Sequence, residues 1–367
     1  MSKIAILTWH SLPNHGAMLQ MYGLSKVFNN MGYDTEIVLH RIESDYKYSN
    51  NISQKSKLQK ILSKECWRIR INRKKGTHFN KEKVSGMNAF QKECFRTCKD
   101  IGSDVIACCI GSDEVFSLVN NFTPLFYGEG VNCPIFSYAG SFGQTSEKII
   151  ELRGVKARLT KDFKRFIAIS VRDENSKRLI NFLGNDADIH IDPVLLYGYK
   201  KEISEFSKAI ENRILLYAYD SNMNLDSEIR EIKKISVKYG DIPVVSAGFY
   251  HNWCDRCIQV NPLEMIEEFA KSKYVITDTF HGAIISIITH SRFVVKVRNT
   301  LNSNKLVYLL EMLGLEDRIA YDDSQFQRIL ETEIDYDSIE ARLEKFRTEA
   351  FCYLKNTLRK IEQNGSL

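Results

Sequence analysis

Short apolar runs alternate along the chain with stretches whose apolar residues recur every three to four positions, the pattern of buried parallel strands separated by covering helices. "KIAILTW" predicts a buried strand, and "GAMLQMYGLSKVFNNMG" predicts a helix with Leu19, Tyr22, Leu24, Val27 and Phe28 on its apolar side and Gly32 as its stop. "DTEIVL" follows as a second strand. Further strands are predicted in "DVIACCI", "CPIFSYA", "RFIAISV" and "ADIHI", and the clearest helix between them covers Glu174–Leu183. These make one doubly wound domain over residues 1–199, with a basic helical insertion at about 52–98. Residues 200–212 are polar, contain no strand-like run and read as a linker. Over residues 213–335 a second series opens with "RILLYAY". It continues through helices at Leu225–Tyr239 and Pro262–Lys271, strands "IPVVSA", "YVITD" and "RFVVKV", and helices at Ser303–Leu313 and Asp323–Glu333. Within residues 336–367, Ile339–Gln363 has the spacing of one long amphipathic helix.

The fold class is therefore α/β and GT-B-like: two Rossmann-like doubly wound domains facing across a cleft, with a C-terminal helix crossing back. A length of 367 residues agrees, because a single core usually stops growing below that size. Hydrophobic residues make up 44% and charged residues 26%, as in ordinary globular proteins, and no apolar run is long enough to span a bilayer. The short apolar stretch from Ile4 to Trp9 lacks a cleavage-like site, so a cytoplasmic location is expected. Nine cysteines, several in apparent strands, read as reduced core thiols. Cys254 and Cys257 have half-site spacing with His251 nearby, but no second such pair completes a zinc site, so no metal is expected.

The net charge of +5 is unevenly spread. Between Lys55 and Lys83 eleven lysines and arginines face only Glu65 and Glu82, and Leu58, Ile61, Leu62 and Ile69 fall near one helical face. Such a helix can dock on its own domain or touch the anionic inner face of a cell membrane. No nucleic-acid motif accompanies the charge, and nucleic acid is not expected as a partner.

Ligands of open α/β sheets gather at the carboxyl ends of strands, where helix N-termini present unpaired N–H groups. Four polar turns occupy such places. "TWHSLPNHGAMLQ" supplies Asn14, His15, Gly16 and Gln20 without a dinucleotide or Walker pattern. "IGSDEVF" supplies Ser112 and Asp113. "SVRDENSKRLI" puts Arg172 directly after a strand, where a planar fork can hold a phosphate or carboxylate. "VITDTFHGAIISII" puts His281 between a strand and a helix, where a helix N-terminus lowers an imidazole's pKa and a neighbouring carboxylate raises it.

In order and spacing these turns resemble the polysaccharide pyruvyl transferase family. The resemblance rests on "NHGAMLQMYGL", "GSDEVF", "YAGSFG" (which contains Ser141), "SVRDENS", "DPVLL" and "DTFHG", and runs from about residue 3 to 320. It implies transfer of the enolpyruvyl unit of phosphoenolpyruvate to a sugar of a cell-surface polysaccharide precursor. The product is a pyruvate ketal, phosphate is released, and no cofactor is needed. It also implies a lipid-linked or nucleotide-linked sugar as acceptor, Arg172 as the donor-binding arginine and His281 as general acid or base. Thr279, Phe280 and Gly282 complete the donor turn, while Asn14, His15, Gly16, Gln20, Ser112, Asp113 and Ser141 line the cleft or meet the acceptor.

Some members of the family carry arginine where this chain has Thr279, and that arginine also binds the donor. Lys296, Arg298 and Lys305 are the candidates to supply the missing charge. Two other readings stand beside the first: a GT-B glycosyltransferase using a nucleotide sugar, and an inactive scaffold that binds glycan or phosphate.

Overall fold

The computed structural model describes residues 2–10, 13–39, 64–119, 122–207, 209–298 and 303–365, without the side chains of residues 64–75, 303–304 and 365. Strands β1 (Lys3–Leu7), β2 (Asp34–Val38), β3 (Thr97–Cys98), β4 (Val105–Ile110), β5 (Ile135–Ser137) and β6 (Phe166–Ala168) form a parallel sheet in the order β3-β2-β1-β4-β5-β6. Side chains on a strand alternate between faces, and both faces of β1 are covered. Ile4 and Ile6 join a core cluster with Met18, Leu24 and Phe28 of helix His15–Asn30, while Ala5 and Leu7 join Phe116, Phe142 and Phe163 on the other side. Each fully buried phenylalanine there contributes about 1.5–3 kcal/mol of transfer free energy.

Strands β7 (Ser170–Val171) and β8 (Asp188–Ile189) make a separate small pair. The second domain repeats the plan of the first. Strands β9 (Glu211–Tyr217), β10 (Val244–Ala247), β11 (Arg256–Ile258), β12 (Ser272–Thr277), β13 (Phe293–Lys296) and β14 (Ile319–Ala320) are ordered β11-β10-β9-β12-β13-β14. In each sheet the strand order reverses beside its first strand, so a crevice opens at the carboxyl ends there. One apolar cluster runs from Ile4 and Leu19 through Leu215, Tyr217 and Ile284, and so joins the two domains.

Helix Tyr336–Gly365 crosses back. The Tyr336 hydroxyl donates to the Ser291 carbonyl in the second domain at 2.5 Å, and Arg347 Nε donates to the Leu195 carbonyl at 2.9 Å. Further along, the Tyr353 hydroxyl donates to the carbonyl of Ser137, in β5 of the first sheet, at 2.8 Å. No described helix is long and apolar enough to cross a membrane.

Several elements differ from their expected form. "RFIAISV" divides into β6 and β7, and "ADIHI" pairs through two residues only. Strands β3, β11 and β14 are edge pieces of two or three residues, too short to carry a period. In the stretch read as a linker, Lys200–Glu205 forms a helix.

The basic insertion contains a helix, Lys64–Cys94, that bridges the domains. Phe90 packs on Tyr22 of the first domain, whereas the Phe79 ring lies 5.7 Å from that of Tyr250 in the second, and Gln259 Nε2 donates to the Phe79 carbonyl at 2.7 Å. Lys83 is buried over the Phe249 ring, 4.1 Å from its centroid, and burial pushes its ammonium down to about 8. It therefore cannot belong to an outward basic face. Lys55, Lys57, Leu58, Lys60, Ile61 and Leu62 lie outside the described residues.

Candidate functional site

The turn after β12 is built by two threonines and a glycine. Thr277 Oγ1 donates to the Tyr217 carbonyl at 2.6 Å and accepts from the Thr279 N–H at 3.1 Å. Thr279 caps helix Phe280–Ile288, its Oγ1 accepting from the Gly282 N–H at 2.9 Å. A Cβ on Gly282 would lie 2.1 Å from Thr277 Oγ1, so the close turn requires glycine. His281, in the first turn of this helix, is thereby fixed facing the other domain.

What it meets there is the head of helix His15–Asn30. Asn14 caps that helix by accepting from the Gly16 N–H at 2.9 Å. Gly16 lies so close to the imidazole that a Cβ would fall 2.2 Å from His281 Cγ. Gly16→Ala is accordingly expected to cost about 1–3 kcal/mol through overpacking and to displace His281. Thermal denaturation checks the first effect. Gly86→Ala is the control, since a Cβ there meets nothing within 4 Å.

Arg172 follows β7 and reaches the same point from the first domain. Its Nη1 donates to Asp192 Oδ2 at 2.8 Å, its Nη2 lies 3.7 Å from Asp113 Oδ1, and its guanidinium covers the Phe280 ring at 4.4 Å. Asp192 caps helix Pro193–Tyr197, its Oδ1 accepting from the Val194 N–H, and its Oδ2 also stands 3.7 Å from His281 Nε2. Arg172 and His281 thus share the buried Asp192 carboxylate, yet Arg172 Nε and Nη2 and His281 Nε2 have no hydrogen-bond partner. Buried polar nitrogens left unpaired are costly in a resting protein and mark a place for a polar ligand. Burial holds the His281 pKa below its usual value, against the pull of Asp192 and Asp113, so the imidazole is neutral near pH 7.

Of the three candidate cations, only Lys305 joins this group. Its Nζ lies 5.7 Å from the Phe280 centroid and donates to Glu114 of the first domain at 2.5 Å. Lys296 is turned to Asp323 and the Tyr321 carbonyl, at 2.8 and 3.0 Å. Arg298 is bound to Asp278 and Glu228, at 3.1 and 2.7 Å. A pocket of about 220 Å³ opens beside the group, lined by Arg172, Asp192, Phe280, Lys305 and Tyr308 among others. His281 does not line this pocket but stands behind two residues that do, 3.7 Å from Asp192 Oδ2 and with its ring centroid 5.5 Å from that of Phe280.

The remaining expected cleft residues hold the walls. Gln20 Nε2 donates to Thr8 Oγ1 at 2.9 Å and its Oε1 accepts from the Ser112 N–H at 3.1 Å, fixing the turn that carries Asp113. Ser112 Oγ donates to the Ala139 carbonyl, and Ser141 Oγ to Asp173 Oδ2 at 2.6 Å. Gln20, Ser112 and Ser141 are fully buried. Asp192, Glu114 and Tyr308 were not among the expected site residues, although "DPVLL" contained the first of them and "GSDEVF" the second.

His15 sits in the seam between the domains. Its Nε2 is bonded to the Val260 carbonyl at 3.0 Å, and it packs on Gly248, which has φ +68° and no room for a Cβ. Burial, with the Lys83 charge second, pushes its pKa down to about 3. The unfolded chain therefore binds the proton first, and stability is lost as pH falls from about 6.5 toward 3, by up to about 1.4 kcal/mol per unit. His15→Gln is expected to flatten the acid limb of melting temperature against pH.

At the half-site read from sequence, both nitrogens of His251 are occupied, by Ser246 Oγ and the Asn222 carbonyl, and the Cys257 thiol donates to the His251 carbonyl. Among the described residues no cluster could hold a metal.

The sequence profile of the polysaccharide pyruvyl transferase family matches residues 14–298, from the cap of the first helix through the His281 turn. The chain belongs to that family. It is thus a transferase of polysaccharide biosynthesis with Arg172 and His281 inside the matched span. No curated protein matches it by sequence. Among solved structures, it is similar to the spinosyn rhamnosyltransferase SpnG, with 7% identity, a TM-score of 0.48 and coverage of 98% of this chain and 100% of that one. It is also similar to the UDP-GlcNAc 2-epimerase from Neisseria meningitidis bound to UDP-GlcNAc, with 12% identity, a TM-score of 0.48 and coverage of 98% and 100%. The S. aureus MnaA–UDP co-structure aligns with 12% identity, a TM-score of 0.46 and coverage of 97% of each chain.

Proposed function

We propose that this transferase moves the enolpyruvyl unit of phosphoenolpyruvate onto a sugar of a polysaccharide precursor and closes it into a pyruvate ketal. One observation carries the reading. Arg172 and His281 come from opposite domains, are buried against one carboxylate, and keep unpaired nitrogens. A guanidinium suits the donor's carboxylate and phosphate, and Lys305 adds a second positive charge beside Phe280.

In the reaction, two acceptor hydroxyls form C–O bonds to the central carbon of the donor and its bond to the phosphate oxygen breaks. Of the two hydroxyl protons, one is balanced by protonation of the methylene, which becomes a methyl group, and the other leaves with phosphate. Neutral His281 takes the proton of the attacking hydroxyl at Nε2 and returns it. Because the imidazole must start unprotonated, kcat/KM is expected to fall on the acid side of a limb below pH 6.5, as His281 becomes charged. A limb above that value, lost on removing His281, would give the residue the opposite protonation state.

Lys305 is spent on Glu114 in the resting site. Glu114→Gln is therefore expected to tighten phosphoenolpyruvate binding severalfold, and Lys305→Ala to weaken it by about tenfold, as read by calorimetry. The test of the whole reading is mass spectrometry after incubation with phosphoenolpyruvate and a panel of lipid-linked and nucleotide-linked sugars. A pyruvate ketal on one sugar supports it. Transfer of a sugar from a nucleotide instead would replace it with the glycosyltransferase reading.

A further inference from the structure

A second and larger pocket, of about 610 Å³, adjoins the one at Arg172. The two share a wall of Asp173, Glu174, Lys305 and Tyr308, and the larger extends over Gln144, Ile149 and Arg178 of the first domain. We infer that the larger pocket binds the acceptor as an uncharged, hydroxyl-rich pyranose unit, with Gln144, Glu174 and Tyr308 as its contacts. The inference rests on the donor reading given above only for which substrate goes where.

Size separates the two spaces. A three-carbon phosphate suits about 220 Å³ and would be loose in about 610 Å³, whereas one or two sugar rings fill the larger volume. Chemistry narrows the occupant. Gln144 and Tyr308 are half-buried and Glu174 is exposed at the pocket's rim, and among the described residues neither the Gln144 amide nor the Glu174 carboxylate nor the Tyr308 hydroxyl has a hydrogen-bond partner. An amide and a carboxylate offer acceptors to sugar hydroxyls, and a tyrosine offers a flat apolar face to the ring's C–H groups and a hydroxyl at its edge.

The other polar groups of the wall are occupied. Asp173 accepts from the Ser141 hydroxyl and the Ser176 N–H, and Asn175 Nδ2 donates to the Gly143 and Thr145 carbonyls. The charges of the wall argue against a diphosphate. Asp173 and Glu174 line the pocket, while of its two cations Lys305 belongs to the donor site and Arg178 donates to Asn175 Oδ1 and lies 3.9 Å from Glu147. A nucleotide or lipid diphosphate attached to the acceptor would project away from this wall.

The test uses the full chain and an array of neutral hexose and N-acetylhexosamine oligosaccharides, with UDP-sugars as a comparison and phosphoenolpyruvate titrated separately by calorimetry. Wild type is expected to bind a neutral glycan. Gln144→Trp, which fills the pocket, and Glu174→Gln, which leaves it open, should each weaken that binding by about tenfold or more. Gln144→Trp should leave phosphoenolpyruvate affinity unchanged. Glycan binding that survives both substitutions, binding of UDP-sugars alone, or binding of no glycan would overturn the inference. Failure of wild type to bind phosphoenolpyruvate while a glycan still binds in the Gln144-dependent way would instead remove the donor reading and leave the pocket assigned.

Discussion

Arg172→Lys is expected to abolish measurable donor binding and to lower kcat/KM by about a hundredfold or more, although the charge is retained. Lysine is shorter and offers one ammonium in place of a planar fork. It cannot hold Asp192 at 2.8 Å, lie over Phe280 and keep two further nitrogens that make no hydrogen bond for a ligand. Arg172→Ala should go further. It leaves Asp192 buried without its cation, and removing one partner of such a pair typically costs about 3–5 kcal/mol. The lysine variant therefore separates loss of function from loss of fold, with thermal denaturation run beside the kinetics.

His281→Gln is expected to behave differently. The imidazole's Nε2 makes no hydrogen bond in the resting site, so the substitution removes little that holds the protein together. Turnover should fall by about a hundredfold to ten-thousandfold, the usual worth of a positioned acid or base, while affinity for phosphoenolpyruvate changes little. A split of this kind, with binding kept and kcat lost, is not what a merely structural histidine would give. Should both fall together with stability, His281 would be a packing residue in the seam against Gly16.

The alternation of apolar runs and helical spacing already carried the two parallel sheets, because strands buried on both faces have to be apolar throughout, as "KIAIL" and "YVIT" are. The short edge pieces β3, β11 and β14 left no such trace, since a strand of two or three residues is defined by its neighbour. Arg172 and His281 could be picked out from their places at strand ends, but the residue joining them could not. Asp192 caps a five-residue helix with one oxygen and faces both Arg172 and His281 with the other. In sequence it is an aspartate before proline, which reads as a cap.

The cations show the same limit. Lys296, Arg298 and Lys305 were equivalent as charges in and after one strand, and the fold distinguishes them by what each faces: Asp323, the Asp278 and Glu228 pair, and the Phe280 ring beside Glu114. Thr279 stands in the turn where the resemblance led to an expectation of a missing charge. Here its hydroxyl is committed to the helix cap, and the positive charges near Phe280 are those of Arg172 and Lys305. Lys83 gave the opposite lesson. A lysine in a basic run reads as solvated, yet its ammonium is enclosed over Phe249 because the helix bearing it bridges both domains.

The most direct measurement is a calorimetric titration of the wild-type chain and of Arg172→Lys with phosphoenolpyruvate, repeated in the presence of UDP. The account predicts saturable binding to one site in the wild type, its loss in the variant, and no competition by UDP. Tight UDP binding with none of phosphoenolpyruvate, or phosphoenolpyruvate binding that persists without the arginine fork, would contradict it.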